Sequence, residues 1–282
     1  MCIRDREKAS GVDHFVAISN FIAARIRKFY GRKSSVIYPP VDTHRFVRGQ
    51  TVYAKKPDRP FLFASASAPY KGLEQVIAVF NKMNLPLNCV GGGALHSKLK
   101  ARAKSHIRFL GRVSDAQLAR LYSESRALVF PAKEDFGIIP IEALASGTPV
   151  ICGYHGALRE TVRGVKPWVS ESLLPDQHTG VFFNPGTGDF SGALQSSIEY
   201  FIKNEDAFSS KIIQESSTIF SGDNFFKRWK SFEEGGFSQD WRDSSSHSKN
   251  VNSNCSKAEE KAGKKASEKI GNCDSTTTVV GL

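Results

Sequence analysis

A chain of 282 residues with 40% hydrophobic content has room for one large domain or two small ones around a real core. No apolar run is long enough to span a bilayer, and the charged start lacks the apolar stretch of a signal peptide, which predicts a cytoplasmic protein. The net charge of +11 is scattered, with mild clusters at residues 25–33 and 98–104 and no aromatic-plus-basic recognition element, so no nucleic-acid partner is expected.

The predicted elements alternate along the chain. FLFASAS (61–67) predicts a strand, and LEQVIAVFNKM (73–83) a helix with apolar residues at helical spacing. LNCV (87–90) predicts a short strand running into Gly91, Gly92 and Gly93, followed by a helix carrying Leu95 and Leu99. IRFL (107–110) is a strand, and Ser114 is placed to cap the helix DAQLARLYSESR. ALVFP (127–131), PVIC (149–152) and GVFF (180–183) are strands; helices are expected over 190–202 and 225–232. This rhythm predicts an α/β fold with a doubly wound parallel sheet and right-handed crossovers. Ligands in such sheets bind at the carboxyl ends of strands, where strand order reverses. Lys71, Arg112 and Glu134 all follow predicted strands. The cysteines (Cys2, Cys89, Cys152, Cys255 and Cys273) show no metal-ligand spacing and no paired framework; Cys89 and Cys152 lie in strand-like runs and read as small core residues. From about residue 244 the chain is Ser, Lys, Asn, Glu and Thr with few large apolar side chains, a composition that predicts a disordered tail.

Residues 127–153, ALVFPAKEDFGIIPIEALASGTPVICG, carry the chemistry. A strand delivers Glu134 to the mouth of a cleft, the chain turns at Phe136-Gly137, and a short helix carries Glu142 inward. The first N–H groups of that helix point back at whatever lies before Gly137, a place for a phosphate. A carboxylate on each side is suited to hydroxyl groups. A phosphate flanked by polyols describes a nucleotide-sugar.

The segment resembles the E-x7-E signature of GT-B glycosyltransferases of family 4, here Glu134-Asp135-Phe136-Gly137-Ile138-Ile139-Pro140-Ile141-Glu142, with Ala143 and Gly147-Thr148-Pro149-Val150 behind it. Two glutamates at this spacing are common on solvated helices; the FG, EA and GTPV elements make the pattern specific. The resemblance runs over most of residues 11–235 and is nearest to the bacterial O-antigen mannosyltransferase-like group. It implies the Rossmann-like C-terminal half of a two-domain enzyme that transfers a hexose, for instance mannose from GDP-mannose, to a glycan or lipid-linked acceptor with retention. It also implies that residues 12–43 are the last helix and strand of a preceding domain. The first six residues, MCIRDR, match an in-frame sequencing-adapter translation, so the start reads as that of a truncated frame. The domains expected are 1–44 (adapter-like start and end of the first domain), 45–204 (nucleotide-sugar binding), 205–240 (crossing helices) and 241–282 (tail).

By the same resemblance, Lys71 reaches the donor diphosphate as a point charge, Glu142 accepts both ribose hydroxyls, and Glu134 holds hydroxyls of the donor sugar. Phe136, Gly137 and Ile138 supply backbone N–H groups, and Gly137 allows close approach. Gly92 belongs to a glycine turn that packs the strand end or lines the nucleotide pocket; Arg112 lies near the base or in solvent. Ser19 and Asn20 look like the hinge side of the cleft, and Glu160 reads as structural. No cofactor and no metal are expected: a helix N-terminus and Lys71 can take the place of a divalent ion. The basic surface suits solvated helix faces, or an anionic donor and peripheral contact with the inner membrane face. The chain departs from the family at Ala66 and Gly72, where a cationic residue is expected at one or the other. Two other classes stay open: a nucleotide-binding Rossmann dehydrogenase domain, against which the absent GxGxxG stands, and a non-catalytic module or inactive assembly fragment.

Overall fold

The strands that matter are nearly continuous apolar runs: FLFA at β3 (Phe61–Ala64), LVF at β6 (Leu128–Phe130), VICG at β7 (Val150–Gly153) and GVFF at β9 (Gly180–Phe183) are buried at every residue. Runs of that kind belong in a parallel sheet covered on both faces. A computed structural model describes residues 9, 11–46, 58–169, 172–174 and 177–235. The adapter-like start (1–6) and the predicted tail (241–282) lie outside the described residues. With β4 (Leu87–Val90), β5 (Ile107–Gly111) and β8 (Gly164–Val165), the strands form one parallel sheet in the order β5-β4-β3-β6-β7-β9-β8.

In the small piece before that sheet, β1 (Val16–Ala17) pairs in parallel with β2 (Ser35–Val36) beside helix α1 (Asn20–Tyr30), and the four-residue α2 (Thr43–Phe46) follows. The helices of the main sheet are α3 (Leu73–Met83), α4 (His96–Arg102), α5 (Asp115–Glu124), α6 (Ile138–Ala145), α7 (Leu158–Thr161) and α8 (Phe190–Lys203); α9 (Ser210–Ser216) and α10 (Gly222–Glu234) close the described chain. The apolar face of α3, Leu73, Val76, Ile77, Val79 and Phe80, is buried as its spacing requires. Ser114 caps α5 in a reciprocal box with Gln117. The predicted strand over 61–67 ends at Ala64 and the helix from 115 ends at Glu124. The two-residue edge strand β8 escaped prediction because it is too short to show a period.

A core of large side chains fills the space around the sheet, with Phe61, Phe63, Phe80, Tyr122, Phe130, Phe183 and Phe201 fully buried. Cys89 and Cys152 sit within it, and burial pushes the Cys89 thiol up to about 12. One ion pair is nearly enclosed: Arg126 meets Glu205 at 2.5 Å, with side-chain exposures of 7% and 16%, and its guanidinium lies 5.0 Å from the Phe61 ring centre. Removing one partner of such a pair strands the other in low dielectric. Arg126→Ala is therefore expected to destabilise the chain by about 3 kcal/mol, read as a lower urea midpoint; a loss within that of an exposed pair, under about 1 kcal/mol, would contradict it.

Strand order reverses between β3 and β6. From β3 the chain winds outward through β4 to β5; it then returns to the other side of β3 and winds through β6 and β7 toward β9 and β8. The loops leaving the carboxyl ends of β3 and β6 meet at this reversal, the position where doubly wound sheets bind their ligands.

Candidate functional site

The two loops at that reversal carry Lys71 and Glu134. Residues 65–72 leave β3 and end in a 3-10 turn, Pro69–Lys71, closed by Gly72 in the left-handed region at φ 74°. A side chain at Gly72 would stand 2.8 Å from Pro131 of the facing loop. A side chain there would require Pro131 or the turn to shift, on top of the positive φ. Between the two loops, Lys71 Nζ donates to Glu134 Oε1 at 2.5 Å, with the two side chains 16% and 24% exposed.

Glu134 is held from behind by the turn after β7. Ala157 N–H donates to the Glu134 carbonyl at 2.9 Å, and Gly156 packs so closely that a Cβ there would lie 2.5 Å from that oxygen. His155 of the same turn has a buried Nδ1 without a hydrogen-bond partner among the described residues. Burial, with Lys133 nearby, pushes its imidazole below the ordinary histidine value, while backbone carbonyls and Glu134 pull the other way.

Next comes the mouth of α6. The Phe136 ring is buried against Tyr38, Phe220, Val41 and Ile141, so only its backbone faces outward chemistry. Gly137 adopts φ 93°, ψ 65°, and no side chain caps the helix. The N–H groups of Ile138 and Ile139 have no intrahelical acceptor, as in the first turn of any helix, and Pro140 has none to offer. Ile138 is exposed. These donors and the positive end of the helix dipole give the start of α6, next to Glu134, the chemistry that suits an anion. The helix stops where Gly147, at φ 74°, returns its N–H to Leu144 at 2.8 Å.

Glu142, half-buried on α6, accepts from the Tyr122 hydroxyl at 2.9 Å. Burial raises its carboxyl above the ordinary value; the Tyr122 donor opposes this, Asp115 adds to it and Arg45 opposes it. Arg45 in turn bonds Asp115 at 2.7 Å and Asp42 at 3.2 Å. The two glutamates of the motif thus have separate partners, Lys71 for one and Tyr122 for the other. Gly91 and Gly93 pack β4 onto the β3 loop, since a Cβ on Gly91 would lie 2.0 Å from the Ser65 carbonyl. Gly92 accepts from Ser67 N–H at 3.0 Å and has open space on its Cβ side. Arg112 is exposed just past β5.

One contribution had no signal in the sequence. Tyr122 is a buried position of the amphipathic α5, and nothing local marks its hydroxyl as a partner of Glu142. Glu160, read as structural, gathers the start of α1: it accepts from Asn20 N–H at 2.8 Å, Asn20 Nδ2 at 2.6 Å, Phe21 N–H at 3.0 Å and the Tyr38 hydroxyl at 3.0 Å. Ser19 caps the same helix and donates to the Asp135 carbonyl at 2.6 Å, and Arg25 pairs with the Asp135 carboxylate at 3.1 Å. The segment before the sheet is thereby bonded to the loop between Glu134 and Gly137. No helix among the described residues is long and apolar enough to cross a membrane.

A doubly wound parallel sheet, with a lysine, a carboxylate and a helix start at its reversal point, places the chain in the doubly wound α/β class. The chain belongs to the glycosyl transferases group 1 family, whose model matches residues 50–216. It is 33% identical over 170 residues to the O-antigen chain mannosyltransferase RfbU of Salmonella typhimurium, covering 55% of this chain and 47% of that protein. It is 32% identical over 162 residues to the D-rhamnosyltransferase WbpZ of Pseudomonas aeruginosa, covering 51% of this chain and 42% of that one. The chain thus spans less than half the length of these relatives. Among solved structures, the fold resembles a sucrose-phosphate synthase from Thermosynechococcus elongatus (TM-score 0.67, 20% identity, 82% of this chain and 60% of that one). It also resembles HepE of Anabaena in complex with UDP and glucose (TM-score 0.62, 18% identity, 79% and 63%). The architecture is that of GT-B glycosyltransferases.

Proposed function

We propose that this chain is the donor-binding half of a retaining, metal-independent glycosyltransferase of family 4, acting on a nucleotide-sugar. The observation that carries the reading is the Lys71–Glu134 contact across the strand-order reversal, beside the uncapped start of α6. In this reading, Lys71 and the N–H groups at Phe136, Gly137 and Ile138 take the diphosphate. They stabilise the charge that develops on it as the bond to the sugar breaks. Glu134 positions the sugar by its hydroxyls, and Glu142 accepts the ribose hydroxyls. Gly92 lines the nucleotide pocket and Arg112 stands toward the base. Residues 45–204 form the donor domain, and 205–240 the crossing helices.

Mannose is the favoured sugar and GDP the favoured nucleotide, because mannosyltransferases recur among the relatives. A glycan or lipid-linked acceptor, approached in the cytoplasm at the inner membrane face, fits the O-antigen enzymes in that set. Isothermal titration of the 282-residue chain with GDP, UDP, GDP-mannose and UDP-glucose tests the reading. Weak binding of one nucleotide class, with little sugar transfer, is expected. No heat with any of them, from protein that shows a cooperative thermal transition, overturns it.

A further inference from the structure

Glu142 is gripped as well as available. A glutamate's terminal torsion is soft, and a half-buried carboxylate left to itself samples many orientations. Here one oxygen, Oε2, already accepts from Tyr122. The tyrosine that holds it is among the largest fully buried side chains of the described residues. Its ring is fully buried and packs edge-on against Phe46 at 5.7 Å. Its carbonyl accepts from Thr148 Oγ1 at 2.7 Å, and its helix is capped at Ser114. Three segments, the α2 turn, α5 and the GTPV stretch after α6, therefore converge to place one hydroxyl against one carboxylate.

We propose that Tyr122 is a positioning residue whose hydroxyl sets the Glu142 carboxylate in the orientation that accepts the vicinal hydroxyls of a ribonucleoside diphosphate, and so makes the site discriminate ribose from deoxyribose. The inference rests on the proposed reading of Glu142 as the ribose acceptor. A carboxylate offers about four lone-pair positions; Tyr122 occupies one and fixes where the others point. The hydroxyl also helps to keep Glu142 an acceptor. Burial favours its protonated form, and a protonated oxygen would meet a ribose hydroxyl as a second donor. Tyr122 from α5 and Arg45 from α2 oppose protonation, while Asp115 at the start of α5 promotes it.

The test is titration calorimetry of the full chain with GDP and 2′-deoxy-GDP (or the uridine pair, if that is the base bound), from acidic to neutral pH, on wild type and Tyr122→Phe. The phenylalanine keeps the buried ring, and a thermal transition confirms folding. Wild type is expected to prefer the ribonucleotide by about tenfold, one hydrogen bond to a charged group. Tyr122→Phe is expected to lose most of that preference by weakening the ribonucleotide alone, and its loss of binding on acidification should begin at higher pH. In a Glu142→Gln background the same substitution should cost almost nothing further, which a merely structural tyrosine would not show. A preserved preference and an unmoved acid limb in Tyr122→Phe overturn the positioning role while leaving the donor site intact. Wild-type binding with no ribose preference overturns the role of Glu142 and this inference together. No nucleotide binding at all by folded wild type removes the donor-site reading itself.

Discussion

Lys71→Ala is expected to weaken nucleoside diphosphate binding by about ten- to a hundredfold while leaving the monophosphate nearly unchanged, since one charge-assisted contact is worth about 1.5–3 kcal/mol. The selectivity follows from position. Lys71 reaches Glu134 from the β3 loop, ahead of the helix start at Gly137, whereas Glu142 lies further along α6 with its own partner Tyr122. A ligand that ends at its first phosphate can keep the Glu142 contact without needing the lysine. The substitution also does more than delete a cation. It leaves the Glu134 carboxylate, 24% exposed, as an unpaired negative charge where the diphosphate must come. Lys71→Ala combined with Glu134→Gln should therefore recover part of the diphosphate affinity that Lys71→Ala loses, as removal of a repulsion predicts. Calorimetry with GDP and GMP checks both statements. An equal loss for the two nucleotides would place Lys71 outside the diphosphate site.

What the sequence disclosed and what it hid divide along physical lines. β3, β6, β7 and β9 were legible because a parallel strand buried on both faces must be a continuous apolar run. Ser114 was legible because a cap is a local device. The turn at Gly137 and the start of α6 were legible because they are contiguous in the chain; the ligand roles given to the two glutamates rest on the resemblance. The Lys71–Glu134 contact was not legible, because it depends on β3 lying beside β6, and strand order is decided by packing rather than by adjacency along the chain. The structural role of Glu160 was read, but its partners were hidden for the same reason: Asn20 is 140 residues away. Gly72 shows the reverse case. The resemblance led to a cation at Ala66 or Gly72; at Gly72 the structure adds a constraint that only packing reveals, a Cβ that would meet Pro131 at 2.8 Å.

The second large effect comes from a pair of glycines that isolates a backbone contact at the site. Gly31, which ends α1, and Gly156, in the turn after β7, both lie in the left-handed region, at φ 69° and 59°. A side chain on either is strained by conformation alone, at about 1 kcal/mol. Gly31 has open space where a Cβ would go, so Gly31→Ala should cost that amount and leave ligand binding unaltered. At Gly156 the Cβ would meet the Glu134 carbonyl at 2.5 Å and its nitrogen at 3.2 Å, both backbone atoms that no rotamer change can move aside. The Glu134 segment must shift, breaking its bond from Ala157 and drawing the carboxylate away from Lys71. Gly156→Ala should therefore destabilise by about 2–3 kcal/mol more than Gly31→Ala. It should weaken a nucleotide-sugar by about tenfold, a loss equivalent to one positioned hydrogen bond, and the bare nucleotide less, because Glu134 is assigned to the sugar. Urea unfolding and titration with GDP-mannose and GDP measure each part. If the two variants match in stability and in ligand preference, the turn after β7 does not support Glu134, and the sugar-binding role proposed for that carboxylate loses its structural basis.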